Sequence, residues 1–117
     1  MSNSGILRSH SPNFDNRTLP ISLLVMHYTG MKTGKEALER LCDEKSKVSS
    51  HYLVFENGEI HQLVPENKRA WHAGVSSWKG EKDINSCSIG IEIVNGGHNY
   101  LDADGKIPEY KNDQLKA

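Results

Sequence analysis

With 117 residues, 25% of them charged, and a formal net charge of -1, the chain has room for one compact domain with a modest core. That balance offers neither a basic stripe for nucleic acid nor an acidic block for a solvated tail. Cys42 and Cys87 are too few for a disulfide framework and too far apart in sequence for a zinc knuckle or redox pair, which favours a reducing compartment.

Residues 1–20, MSNSGILRSHSPNFDNRTLP, are polar and proline-punctuated and hold no apolar run long enough for a signal peptide or membrane span. They read as an arm lying over the surface of a cytoplasmic protein, with the periplasm or cell envelope as the alternative setting, and a single domain is expected over 21–117. ISLLVMH (21–27), bounded by Pro20 and Thr29-Gly30, predicts a strand buried on both faces and ending at His27. Thr33 is placed to cap a short amphipathic helix in GKEALERLCDE, where Ala37, Leu38, Leu41 and Cys42 recur at helical spacing. SHYLVFENGEIHQLV (50–64) is two β-rich runs joined by Glu56-Asn57-Gly58, a hairpin signal. ENKRAWHAGVSSWKGEKDIN (66–85) has no sustained period and reads as a long loop of the kind that carries function.

SIGIEIV (88–94) alternates, with Ile89, Ile91 and Ile93 on one face and Ser88, Gly90, Glu92 and Val94 on the other. Beyond it, Pro108 and EYKNDQLKA begin a helix at the end of the sequence. Together these predict an α/β domain with a mixed β-sheet flanked by helices.

Glu92 is the one carboxylate in an otherwise apolar strand and shares its face with the small residues Ser88 and Gly90. A partly desolvated acid there suits proton transfer near neutral pH. His27, closing its strand, is placed to present a ring nitrogen, and neutral imidazole is the commonest metal ligand. His51, His72 and His98 lie at a strand start or in loops, where ligand contacts concentrate, while no pair of histidines shows the helical spacing of a zinc site. Trp71-His72-Ala73-Gly74 offers an aromatic plate, a polar ring and a glycine that lets a ligand approach the backbone.

LLVMHYTG, SSHYLVFENGEIHQLVPENKRAWHAG and NSCSIGIEIVN, in this order, resemble the zinc-dependent N-acetylmuramoyl-L-alanine amidases, the superfamily shared with phage amidases and peptidoglycan recognition proteins. The resemblance spans roughly residues 20–100. It implies that His27 is a zinc ligand, that Glu92 is the catalytic carboxylate, and that Trp71 and His72 lie in the substrate groove; His51 and Asn85 are further candidate substrate contacts. The implied reaction is hydrolysis of the amide between N-acetylmuramic acid and the L-alanine of peptidoglycan or muropeptides.

The later zinc ligands of the family, a second histidine and an aspartate or cysteine, follow a long helix and have no counterpart here. The expectation is therefore an amidase domain lacking its C-terminal helix and strand, or one in which His51, His72 or His98 substitutes as ligand. Loss of that cover predicts an exposed apolar sheet face and self-association. The alternative function is a non-catalytic muropeptide-binding module.

Overall fold

The structure, a computed structural model, describes residues 5–74 and 79–95. In chain order its elements are β1 (Ile6–Arg8), β2 (Phe14–Asn16), β3 (Leu23–Tyr28), α1 (Gly34–Leu41), β4 (Tyr52–Val54), β5 (Ile60–Gln62), β6 (Lys68–Ala70), α2 (Ile84–Cys87) and β7 (Ser88–Ile93). Five strands form a mixed sheet in the order β1-β5-β4-β7-β3, and β2 pairs with β6 in a second, two-stranded sheet. The expected α/β mixed-sheet class is what the chain adopts.

Local signals account for four of these elements. Thr33 caps α1 by accepting a hydrogen bond from the Glu36 N–H, and the helix turns Ala37 and Leu41 toward the sheet. The hairpin of β4 and β5 closes through Glu56-Asn57-Gly58, with Gly58 at φ 85°, a conformation open to glycine at no steric cost. In β7 the isoleucines and the Ser88-Gly90-Glu92 set take opposite faces, as the alternation requires. The core gathers Ala37 and Leu41 of α1 with Leu53, Leu63, Val64, Ala70 and Val94, each burial of a leucine contributing about 1.5–3 kcal/mol.

Tertiary context overturned three expectations. Among the described residues β3 is an edge strand, half-buried on one face and exposed on the other: Leu24, Met26 and Tyr28 are 62%, 61% and 61% exposed, so the apolar run does not mark a strand covered on both sides. Of the expected N-terminal arm, residues 5–20 do more than lie over the surface. β1 pairs in parallel with β5, β2 pairs with β6, and the side chains of Ser11 and Asn13 are buried. Ser11 donates to the Leu41 carbonyl and Asn13 to those of Asp43 and Val48, so this segment satisfies carbonyls at and beyond the end of α1. The stretch 66–85 contains β6 and the start of α2 rather than loop alone, because its partner β2 lies far away in sequence. The helix expected after Pro108 lies outside the described residues, as does His98. Among the described residues no helix is long and apolar enough to cross a membrane.

Candidate active site

β3 and β7 run parallel, in register from Leu23 opposite Ser88 to Tyr28 opposite Ile93, which sets His27 directly across from Glu92. In-register neighbours of a parallel pair project from the same face, so imidazole and carboxylate emerge side by side. Leu53 of β4 flanks Glu92 on its other side and is fully buried. Glu92 is therefore desolvated from one flank, and burial pushes its pKa up from 4.5 to about 7. Its Oε2 is buried with no hydrogen-bond partner among the described residues. An orphaned oxygen of this kind is ready to take a proton or bind an incoming group.

Glu92, Trp71 and His72, with Thr29, Met31 and Arg40, line a cavity of about 220 Å³. His27 lies outside that wall but meets His72: its Nε2 is 3.1 Å from His72 Nδ1, and the rings cross edge to face with centroids 5.3 Å apart. Burial also lowers the His27 pKa, which favours the neutral ring.

The face above Ser88 and Gly90 is filled rather than open. A Cβ on Gly90 would stand 2.4 Å from His72 Cγ, so glycine is what admits the His72 ring against the sheet. Ser88 Oγ meets His72 Nε2 at 2.9 Å. Burial, and then the neighbouring His27 and His51 rings, bring the His72 pKa down to about 3, so the ring stays neutral. Asn85 is buried, and its Oδ1 accepts from the backbone N–H groups of His72 and Ala73 at 3.0 and 2.8 Å, clamping the loop that carries Trp71. Trp71 is tied to Ser49 by reciprocal bonds, donating its backbone N–H to Ser49 Oγ and accepting the Ser49 N–H at its carbonyl.

His51 is 0% exposed and has no nitrogen to spare for a ligand. Its Nδ1 accepts from the Gly90 N–H at 3.0 Å, so Nε2 carries the proton and donates to the Lys68 carbonyl at 2.8 Å. Arg17 Nη2 sits 3.1 Å from that same Nε2, but both atoms bear protons, so this contact is not a hydrogen bond. His51 is a cross-link between β4, β6 and β7, and neither it nor His72, both of whose nitrogens are engaged, stands free as a substitute metal ligand.

Arg17 escaped the sequence reading. Its guanidinium donates to the carbonyls of Ser86, Ser88 and Lys68 at 2.8, 2.9 and 2.8 Å and to that of Glu66 at 2.8 Å, joining the N-terminal segment to the strand that bears Glu92. Nothing in FDNRTLP marks one arginine as a fastener, because every acceptor lies at least 49 positions away in sequence.

Catalytic zinc takes three protein ligands and keeps a fourth position open. Among the described residues no group of three His, Cys, Asp or Glu side chains is placed to hold a metal ion. His27 offers one nitrogen and Glu92 one orphaned oxygen, so the described residues do not by themselves make a zinc site.

A mixed α/β domain whose sheet carries an acid and an imidazole on adjacent parallel strands, beside an aromatic-walled cavity, is the class of protein these features define. The sequence pattern of the N-acetylmuramoyl-L-alanine amidases matches residues 17–117, and the chain belongs to that family. It is similar to the N-acetylmuramoyl-L-alanine amidase AmiD of Escherichia coli K12, with 48% identity over 84 residues that cover 66% of this chain and 29% of that protein. It is also similar to the 1,6-anhydro-N-acetylmuramyl-L-alanine amidase AmpD of Haemophilus influenzae, with 38% identity over 102 residues that cover 71% of this chain and 55% of that one. Among solved structures, E. coli AmiD in complex with its substrate anhydro-N-acetylmuramic acid-L-Ala-D-gamma-Glu-L-Lys superposes with a TM-score of 0.67 at 37% identity, over 87% of this chain and 42% of that one. The chain thus spans only 29% and 55% of the two curated relatives.

Proposed function

We propose that the chain is an amidase domain that hydrolyses the amide between N-acetylmuramic acid and the L-alanine of a muropeptide. The observation that carries this is the orphaned Glu92 carboxyl, with its pKa near neutrality and His27 across the strand pair. In its ionised form Glu92 takes a proton from the attacking water; once protonated, it delivers that proton to the departing L-alanine nitrogen. Trp71 and His72 supply the groove wall, with the Trp71 indole as an apolar plate for sugar or peptide. Zinc is the cofactor the family resemblance implies, with His27 as a ligand; the described residues gather no three donors to complete its shell.

The substrate class follows from the likeness to AmiD bound to an anhydro-muropeptide. The test is to incubate the chain with anhydro-N-acetylmuramyl-tripeptide and identify products by mass spectrometry. A free peptide beginning at L-alanine supports the proposal, and an intact substrate after prolonged incubation contradicts it. A second function is favoured by the lack of a three-donor cluster among the described residues: muropeptide binding without cleavage, seen as saturable binding with no product.

Exposed Leu24, Met26 and Tyr28 on β3 favour self-association through that face. Cys42 and Cys87 are free thiols, which suits a cytoplasmic setting.

A further inference from the structure

His72 sits in the middle of a chain of hydrogen bonds whose direction is forced from one end. The Ile84 carbonyl only accepts, and Ser88 Oγ lies 2.7 Å from it, so the single hydroxyl proton of Ser88 is spent there. Toward His72 Nε2, 2.9 Å away, Ser88 Oγ is then left as an acceptor, and His72 Nε2 must carry the proton. No carboxylate bonds the half-buried ring among the described residues, and a neutral imidazole has one N–H, so His72 Nδ1 holds an electron pair. The atom facing it at 3.1 Å is His27 Nε2, which must therefore donate.

The orientation of the His72 ring is fixed independently of this logic. Asn85 Oδ1 grips the backbone N–H groups of His72 and Ala73, and the ring lies where a Gly90 side chain would be. Turning the ring over would put carbon where each nitrogen now bonds, losing both contacts.

We propose that His72 is a positioning residue that holds His27 in the tautomer protonated at Nε2, leaving the electron pair on Nδ1, through the one-way chain His27 to His72 to Ser88 to the Ile84 carbonyl. His27 Nδ1 makes no hydrogen bond among the described residues, so it is the nitrogen available to a ligand. The proposal rests on the amidase function only for its purpose, which is to fix which nitrogen His27 offers; the tautomer itself is a property of the polypeptide, readable without metal or substrate. It also gives His72 a task beyond lining the groove. A donor or acceptor shielded from water and left unpaired is costly, which is what keeps each link pointing one way.

The test is long-range proton–nitrogen correlation NMR on the full chain labelled with ¹⁵N-histidine, metal-free at pH 8. His27 and His72 are both expected to show a protonated Nε2 and an unprotonated Nδ1. A His27 proton on Nδ1, or averaged nitrogen signals from a tautomer mixture, overturns the proposal. In His72→Phe, which keeps an aromatic ring but removes the acceptor, the His27 signals are expected to move toward that average. In His72→Asn, whose Oδ1 replaces the Nδ1 electron pair, His27 should keep the Nε2–H pattern. A purely structural role predicts that neither variant changes the His27 tautomer, and an unchanged pattern in folded His72→Phe also overturns the proposal. No substrate or metal enters the measurement, so its failure leaves the amidase proposal standing, and failure to cleave muropeptide leaves the tautomer result intact.

Discussion

Replacing Glu92 with glutamine should stabilise the chain at alkaline pH, although the same change is expected to remove its chemistry. The carboxyl has its pKa raised by burial from 4.5 to about 7, so the folded chain holds this proton more tightly than the unfolded chain does. The sign follows: the stabilising contribution is fully present below about 4.5 and is lost as pH rises through about 7. The full difference corresponds to about 3.4 kcal/mol at 1.36 kcal/mol per tenfold change, and with the group only partly shielded from water about 2 kcal/mol is the expected effect. Glutamine matches the shape and never ionises, so the comparison isolates the charge. Urea unfolding of both metal-free proteins at pH 4.5 and pH 8 measures it, since other titrating groups cancel between wild type and variant. The relative stability of Glu92→Gln should rise by about 2 kcal/mol from the lower to the higher pH. A difference independent of pH, or one that falls, would refute the claim that Glu92 ionises at a desolvated site.

The remaining expectations are simpler. Trp71→Ala should weaken muropeptide binding by about 1 kcal/mol, roughly fivefold in Kd by calorimetry, the scale of a lost aromatic contact. Arg17→Leu should cost about 3 kcal/mol in urea unfolding because the carbonyls of buried Ser86 and Ser88, with those of Lys68 and Glu66, lose a charged donor, and Arg17→Lys should recover little of it, since an ammonium cannot span acceptors on β6, α2 and β7 together. Met26→Lys, on the exposed face of β3, should reduce self-association in sedimentation velocity while leaving unfolding within about 0.5 kcal/mol of wild type.

What could be read from the sequence was local. The Thr33 cap, the Glu56-Asn57-Gly58 hairpin and the alternation of β7 depend on residues within a few positions of one another, and each appears where the pattern put it. That alternation, combined with parallel register, brings His27 and Glu92 to one face. Features that depend on distant partners were hidden. An apolar run such as LLVM reads the same whether its strand is central or at an edge, and only the sheet order reveals that Leu24 and Met26 face outward. β2 and β6 are short and without apolar periodicity, so neither announces itself until they meet. The small residues Ser88 and Gly90 signalled space above the strand, but not that His72 occupies it.

The central claim is that Glu92 carries the proton during amide hydrolysis. It is tested most directly by the rate at which the wild-type chain and a folded Glu92→Gln variant release stem peptide from anhydro-N-acetylmuramyl-tripeptide. A loss of about a hundredfold or more is predicted for the variant, the scale of a removed general acid–base group. Equal rates in the two proteins would contradict the account.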